Sequence, residues 1–179
     1  MRLKKIIKQL EGKFPLELAE EWDNVGLLLD STRREIKSIM LCLDITRDVV
    51  DKAVANKVDL IISHHPFIFS PLKKITTDEV NGEKILKLAR NNIAVYSMHT
   101  NIDSGIGGLN DFIIKKIGQE GKVFVISDNR CVELRKLVTG DLIDAKDKII
   151  NPLRIQKLKS AITIEELCKI IKEKLCIPN

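Results

Sequence analysis

The sequence predicts an α/β fold with a mostly parallel sheet built from βαβ units and covered by helices. Two observations predict it. Three apolar runs, SIMLCLDI, DLIIS and IAVYSM, are short and rich in branched aliphatics, and each pair is separated by a segment of helical pattern. The composition also suits strands buried on both faces, with 44% hydrophobic residues but only 4% aromatic, so the core is Ile, Leu and Val. Right-handed crossovers make the three strands parallel, and their carboxyl ends then share one edge.

The elements follow in order. A helix is expected over about residues 3–10, ending near Gly12. A second short helix, LELAEEW, follows Pro15, which suits a first helical turn because it lacks an N–H. NVGLLLD reads as a short strand. After SIMLCLDI, the segment TRDVVDKAVANK is a helix with Thr46 as N-cap and Asp48 favourable in the first turn. DLIIS follows, then a helix over about 78–91 in which Gly82 is a weak point, then IAVYSM. HTNIDSGIGG reads as a polar loop and 109–117 as a helix. GKVFVIS and CVELRKLV read as two further strands, while residues 140–160 have little periodicity. TIEELCKIIKEKL is an amphipathic helix, with Thr163 and Glu166 spaced as a capping box.

Charge and cysteine usage narrow the class. The formal charge is +5 and the pI about 9.0, but acids and bases interleave, which argues against a nucleic-acid-binding stripe. The basic excess is clearest at Lys146, Lys148, Arg154, Lys157 and Lys159, and reads as a solvated face. The four cysteines form no CxxC pair, as in a reduced cytoplasmic protein. Cys42 lies inside an apolar run and reads as packing. The opening MRLKKIIKQLEGK is a charged amphipathic pattern, not a signal peptide. No apolar run approaches the ~20 residues that span a bilayer.

The chemistry concentrates at strand ends. All three histidines of the chain, His64, His65 and His99, follow the second and third apolar runs. In a regular strand His64 and His65 would point to opposite faces. Pro66 donates no ladder hydrogen bond and biases His65 toward extended or turn geometry, so the strand stops and both imidazoles can turn to the carboxyl edge. Open α/β sheets place ligands at that edge. With Asp103, three imidazoles and a carboxylate suit a borderline divalent ion such as zinc, manganese or iron. Hydrogen-bonded structural histidines are the alternative. Asp44, at the end of the first run, reads as a residue that caps or positions the following helix. Trp22 reads as core, and Asp23 and Asn24 as turn residues. Gly105 to Gly108 precede a helix and could bind an anion, but the Lys-Ser/Thr of a P-loop is missing, so a turn is the simpler reading.

Four motifs, LAEEWDNVGLLLD, LDIT, LIISHHPFIF and VYSMHTNID–GGLND, together resemble the dinuclear-metal-centre family of GTP cyclohydrolase I type 2 homologues. The resemblance covers about residues 1–118 and returns weakly at SAITIEELCKIIKEKL. It divides the chain into an α/β metal-binding core, 1–118, and an extension of the same truncated domain, 119–179, with two strands and a terminal helix. It implies a ring-shaped homohexamer and two bridged divalent ions, with His64, His65 and Asp103 as ligands and His99 orienting or closing the site. Members of that family carry a further His-Xaa-Xaa-Xaa-Glu in a second half. No histidine follows His99 here, so the resemblance implies a truncated chain whose second ligand set is missing. Two functions are therefore expected as alternatives. One is a metal-dependent hydrolase acting on a nucleotide-like small molecule. The other is a non-catalytic oligomeric scaffold or protein-interaction module. Membrane and nucleic-acid partners are not expected.

Overall fold

The structure is a computed structural model that describes residues 1–33, 35–127, 130–133 and 152–177. The chain divides into two compact units, residues 1–101 and 102–179, each described by itself. The sequence reading, guided by the reach of the resemblance, set its division after residue 118.

In the first unit, helix α1 (Leu3–Lys13) leads through a single 3₁₀ turn (Leu16–Leu18) to strand β1 (Gly26–Leu29). Strand β2 (Ile39–Cys42), helix α2 (Arg47–Ala55), strand β3 (Leu60–Ser63), helix α3 (Val80–Arg90) and strand β4 (Ala94–Ser97) follow. The sheet order is β1-β4-β3-β2, with β2, β3 and β4 parallel and β1 antiparallel to β4. The three apolar runs are thus the adjacent parallel strands. The expected second helix is one 3₁₀ turn with Pro15 at its N-cap. Its end, Glu20 to Trp22, instead turns back, with Asp23 N–H donating to Glu20 O.

The core follows from strand alternation. Ile61 and Val95 join Val50, Ala53, Ile85 and Leu88 of α2 and α3 in one cluster. Their neighbours Leu60, Ala94 and Tyr96 point to the other face, where Glu11 of α1 sits beside Tyr96. Strands β3 and β4 are therefore almost wholly buried, whereas edge strand β2 buries only one side. Gly82 is buried in α3 because the chain leaves it no room. A Cβ there would lie 2.1 Å from the Thr76 carbonyl oxygen, so the expected weak point is a close backbone approach. Asp59 fixes the start of β3, its carboxylate accepting from Lys37 N–H (2.7 Å) and Ser38 N–H (3.0 Å) and facing Arg33 at 3.0 Å.

The second unit takes up helix α4 (Thr100–Ser104), inside which the chain divides, then helix α5 (Leu109–Ile117). Strands β5 (Gly121–Ser127), β6 (Arg130–Glu133) and β7 (Arg154–Leu158) form an antiparallel sheet in the order β6-β5-β7, and helix α6 (Ile164–Leu175) follows. The sequence reading missed α4, which lies in the expected HTNIDSGIGG loop, and β7, which lies in the stretch judged aperiodic. The capping box is present, with Glu166 N–H donating to Thr163 Oγ1 (3.1 Å) and Thr163 N–H to the Glu166 carboxylate (2.9 Å). Arg154 gathers the unit's loops, bonding the Asp111 carboxylate and the Ser104 carbonyl. Lys146, Lys148 and the part of CVELRKLV beyond Glu133 lie outside the described residues.

Candidate metal centre

Two buried serines end the central strands. The Ser63 and Ser97 hydroxyls bond each other at 2.8 Å, Ser63 Oγ donates to His65 O at 2.9 Å, and Phe67 N–H donates to Ser97 Oγ. These contacts hold the chain as it leaves β3. His64 N–H donates to Cys42 O and His65 N–H to Leu43 O. In a regular strand, consecutive N–H groups point to opposite neighbours; here both point to the β2 side. The alternation is broken, and the two rings come to one side with centroids 5.1 Å apart.

His99, two residues beyond β4, completes a triangle, with its ring 5.1 Å from His64 and 5.6 Å from His65. One ligating nitrogen from each of the three rings lies within 4.8 Å of the others. Carboxylates back two of the rings. His65 Nδ1 is 2.6 Å from Asp44 Oδ1, and His99 Nδ1 is 3.0 Å from Asp23 Oδ1. An ionised carboxylate only accepts, so each Nδ1 carries a proton, and in a neutral imidazole Nε2 is then the nitrogen with the lone pair.

The two backing carboxylates differ in setting. The Asp23 side chain is 0% exposed and its partner His99 19%, whereas Asp44 is 55% and His65 46% exposed. Asp23 also accepts from the Thr100 N–H and hydroxyl and from Asn24 N–H (2.8 Å). Burial pushes its pKa up, but the hydrogen bonds from Thr100, His99 and Asn24 outweigh burial and hold it below the usual carboxylate value. The segment is further tied by Glu20 N–H donating to Thr100 Oγ1 and Asn24 Nδ2 donating to Ile68 O.

Three readings need correction. Asp23 is not a simple turn residue but the buried partner of His99. Its place follows from topology: antiparallel pairing sets Gly26 opposite Ser97, so the residues before β1 reach the carboxyl end of β4. Asp44 does not cap α2, since Thr46 Oγ1 accepts from Val49 N–H there; Asp44 holds His65. Trp22 is not core. It is 61% exposed and lies edge-on to Phe69 and His99. Gly107 N–H already donates to Asp111 Oδ2 (2.6 Å), so the glycine run reads as a turn closed on itself. Asp103 stands in the first turn of α4, in the second unit, whereas the three histidines belong to the first.

The donor set fits a divalent ion. Ligating histidines characteristically donate their second nitrogen to a carboxylate. Zn–N bonds of about 2.0–2.1 Å at tetrahedral angles put nitrogens roughly 3.4 Å apart, so modest closure of the triangle would accommodate an ion.

Comparison with known proteins places the chain. The family model Duf34/NIF3 (NGG1p interacting factor 3) matches residues 1–179. The chain belongs to the Duf34/NIF3 family. It is 34% identical to a GTP cyclohydrolase 1 type 2 homologue of Clostridium acetobutylicum over all of this chain and 61% of that protein. The Clostridium perfringens protein of the same description is 35% identical over 96% of this chain and 68% of that one. Among solved structures, reduced HcgD from Methanocaldococcus jannaschii matches with TM-score 0.73 and 30% identity, over 97% of this chain and 60% of that one. A Bacillus cereus protein related to NIF3 shares the fold, with TM-score 0.74 and 21% identity over 100% and 71% of the two chains. Like these, the present Duf34/NIF3 chain is α/β with a mostly parallel sheet, and it spans about three fifths of the C. acetobutylicum protein. No helix among the described residues is long and apolar enough to cross a membrane.

Proposed function

We propose that the chain is a divalent-metal-binding protein, with His64 and His65 as ligands, and that the site serves a metal-dependent hydrolysis. The observation that carries the reading is the histidine triangle with carboxylates behind two of its rings. Zinc and iron suit imidazole donors, and manganese suits a site that adds carboxylate oxygen. A bound ion would supply Lewis-acid polarisation of a substrate oxygen and activation of water at neutral pH. The protein's part is positional: Asp44 and Asp23 fix the tautomers of His65 and His99, and the Ser63–Ser97 pair holds the turn that carries His64. The resemblance adds Asp103 as a ligand and gives His99 an orienting role; the triangle makes His99 itself a candidate ligand. The description of the clostridial relatives favours a nucleotide-like substrate.

Elemental analysis after incubation with each metal tests this. About one ion per chain, lost in the double variant His64→Ala/His65→Ala, is expected; less than about a tenth of an ion per chain overturns it. Single His99→Ala and Asp103→Ala variants then rank the remaining donors.

A second reading, an assembly module, is favoured by edge strand β2. Ile39, Leu41 and Leu43 lie bare, Leu41 at 75% exposure. Light scattering of Leu41→Lys tests it: a self-associated species that dissociates supports assembly through β2, and an unchanged mass refutes it.

A further inference from the structure

A cleft of about 520 Å³ opens beside the histidine triangle. His65 and Asp44 stand at one end, Lys84 and Asn81 on the wall of α3, and Phe67 and Phe69 on the loop after Pro66. We infer that this cleft binds a small organic anion, a phosphate or carboxylate on a flat apolar body, with the Lys84 ammonium as its anion contact. Calling that ligand a substrate rests on the metal-centre reading; the anion site itself stands on the cleft.

Three observations carry it. First, Lys84 is half-buried, and among the described residues its ammonium makes one hydrogen bond, to Ile45 O at 2.8 Å, with no carboxylate at ion-pairing distance. An ammonium has three donors. The Ile45 bond and the Phe67 ring, 5.5 Å away, fix its position and leave donors for a ligand. Second, the neighbouring charges are already engaged. Arg47 is held by Glu83 at 2.7 Å and Asp44 by His65 at 2.6 Å. In the metal-free chain the cleft thus carries the Asp44 carboxylate at its histidine end and the Lys84 ammonium at its α3 end, which places an anionic group at α3 and the rest of the ligand toward the triangle. Third, Phe69 is exposed, and its ring forms a flat apolar wall with Trp22 edge-on to it.

Burial supports this assignment by lowering the Lys84 pKa; the charge of Arg47 lowers it further and Asp44 opposes both. An ammonium deprived of water gains more from an arriving anion than an exposed one.

The test uses the chain in EDTA, so that no metal can hold the probe. Phenyl phosphate, benzoate and neutral benzyl alcohol are titrated against the fluorescence of Trp22, the single tryptophan, and by saturation-transfer NMR. The expected result is binding of at least one anion roughly tenfold tighter than the alcohol, weakened about tenfold or more in Lys84→Met and retained within about threefold in Lys84→Arg. Preference between phenyl phosphate and benzoate tells phosphate from carboxylate ligands. Lys8→Met serves as a charge control, and melting curves establish that the Lys84 variants fold. Equal binding of the alcohol, or folded Lys84→Met binding the anion like the native chain, overturns the inference. Lys84-dependent binding in a chain that takes up no metal keeps the anion site and overturns the hydrolase reading. Metal uptake without Lys84-dependent binding does the reverse.

Discussion

Replacing Asp23 by Asn tests whether a buried carboxylate sets the tautomer of His99. The change preserves shape but exchanges one acceptor oxygen for an NH₂ group. One carboxylate oxygen accepts from Thr100 N–H and hydroxyl, the other from Asn24 N–H and His99 Nδ1. The Thr100 N–H is a fixed backbone donor in a buried residue, whereas imidazole can change tautomer. The amide oxygen therefore takes the Thr100 side and the NH₂ faces His99. Asn24 N–H then loses its acceptor, and the charge assistance to Thr100 is lost, a cost of about 2 kcal/mol. His99 answers by accepting at Nδ1, which puts its proton on Nε2, the nitrogen it would offer to the triangle. Loss of such a backing group typically weakens metal binding by about 10- to 100-fold. Zinc titration against a chromophoric chelator, with urea melts of the same samples, reads both effects. Asp59→Asn, remote from the triangle, is the control for lost stability alone. If Asp23→Asn binds zinc within about threefold of the native chain while Asp59→Asn binds normally, the argument from the tautomer is refuted.

Asp59 gives a pH dependence. Burial raises its pKa, but N–H donors of Lys37 and Ser38 and the charge of Arg33 bring it net below the unfolded value of about 3.9. A depressed folded pKa contributes stability that is fully present above the unfolded value and lost as pH falls from about 4 through the folded value. Asp59→Ala should lose about 3 kcal/mol near neutrality and flatten the acid limb of the stability curve, read by urea melts from pH 7 to about pH 2.5. Gly82→Ala should destabilise by about 2–3 kcal/mol, because the clash with the Thr76 backbone exceeds the ~1 kcal/mol gained in helix propensity; a raised melting temperature would contradict the close approach. Thr163→Ala should cost about 1 kcal/mol by removing the capping box of α6, with increased amide exchange at its first turn as the local readout.

The parallel core was legible because its signals are local. Each of the three runs carries its own apolar pattern, and Thr46 and Thr163 cap the helices they precede in sequence. The misses have non-local causes. Strand β7, RIQKL, alternates over only five residues and gains its identity from pairing with β5 across 37 positions, Gly121 opposite Leu158. Gly82 looks like a helix defect until Thr76 is seen against it. The same division holds at the site. His64, His65 and His99 announce themselves by following apolar runs. Asp23 does not, because its partner lies 76 residues away and meets it through the antiparallel placement of β1. Reading β1 as a neighbour of β4, rather than only as a strand, is what would have found it.

The two carboxylates behind the triangle assign different mechanical parts to its rings. Asp23 is fully buried, receives four donors and sits in a segment tied to Thr100 and Ile68, so His99 has little freedom. Asp44 and His65 are both about half exposed, and the bond between them is screened by water. Nitrogens up to 4.8 Å apart have to draw together before one ion can take all three. If an ion binds all three, that movement would fall on His65, where side-chain adjustment disturbs one solvent-screened bond, and not on His99, where it would break a buried network. The cleft that holds Lys84 opens on the His65 side. A ligand bound in the cleft would stand against His65, the same ring that would adjust if an ion drew the triangle together.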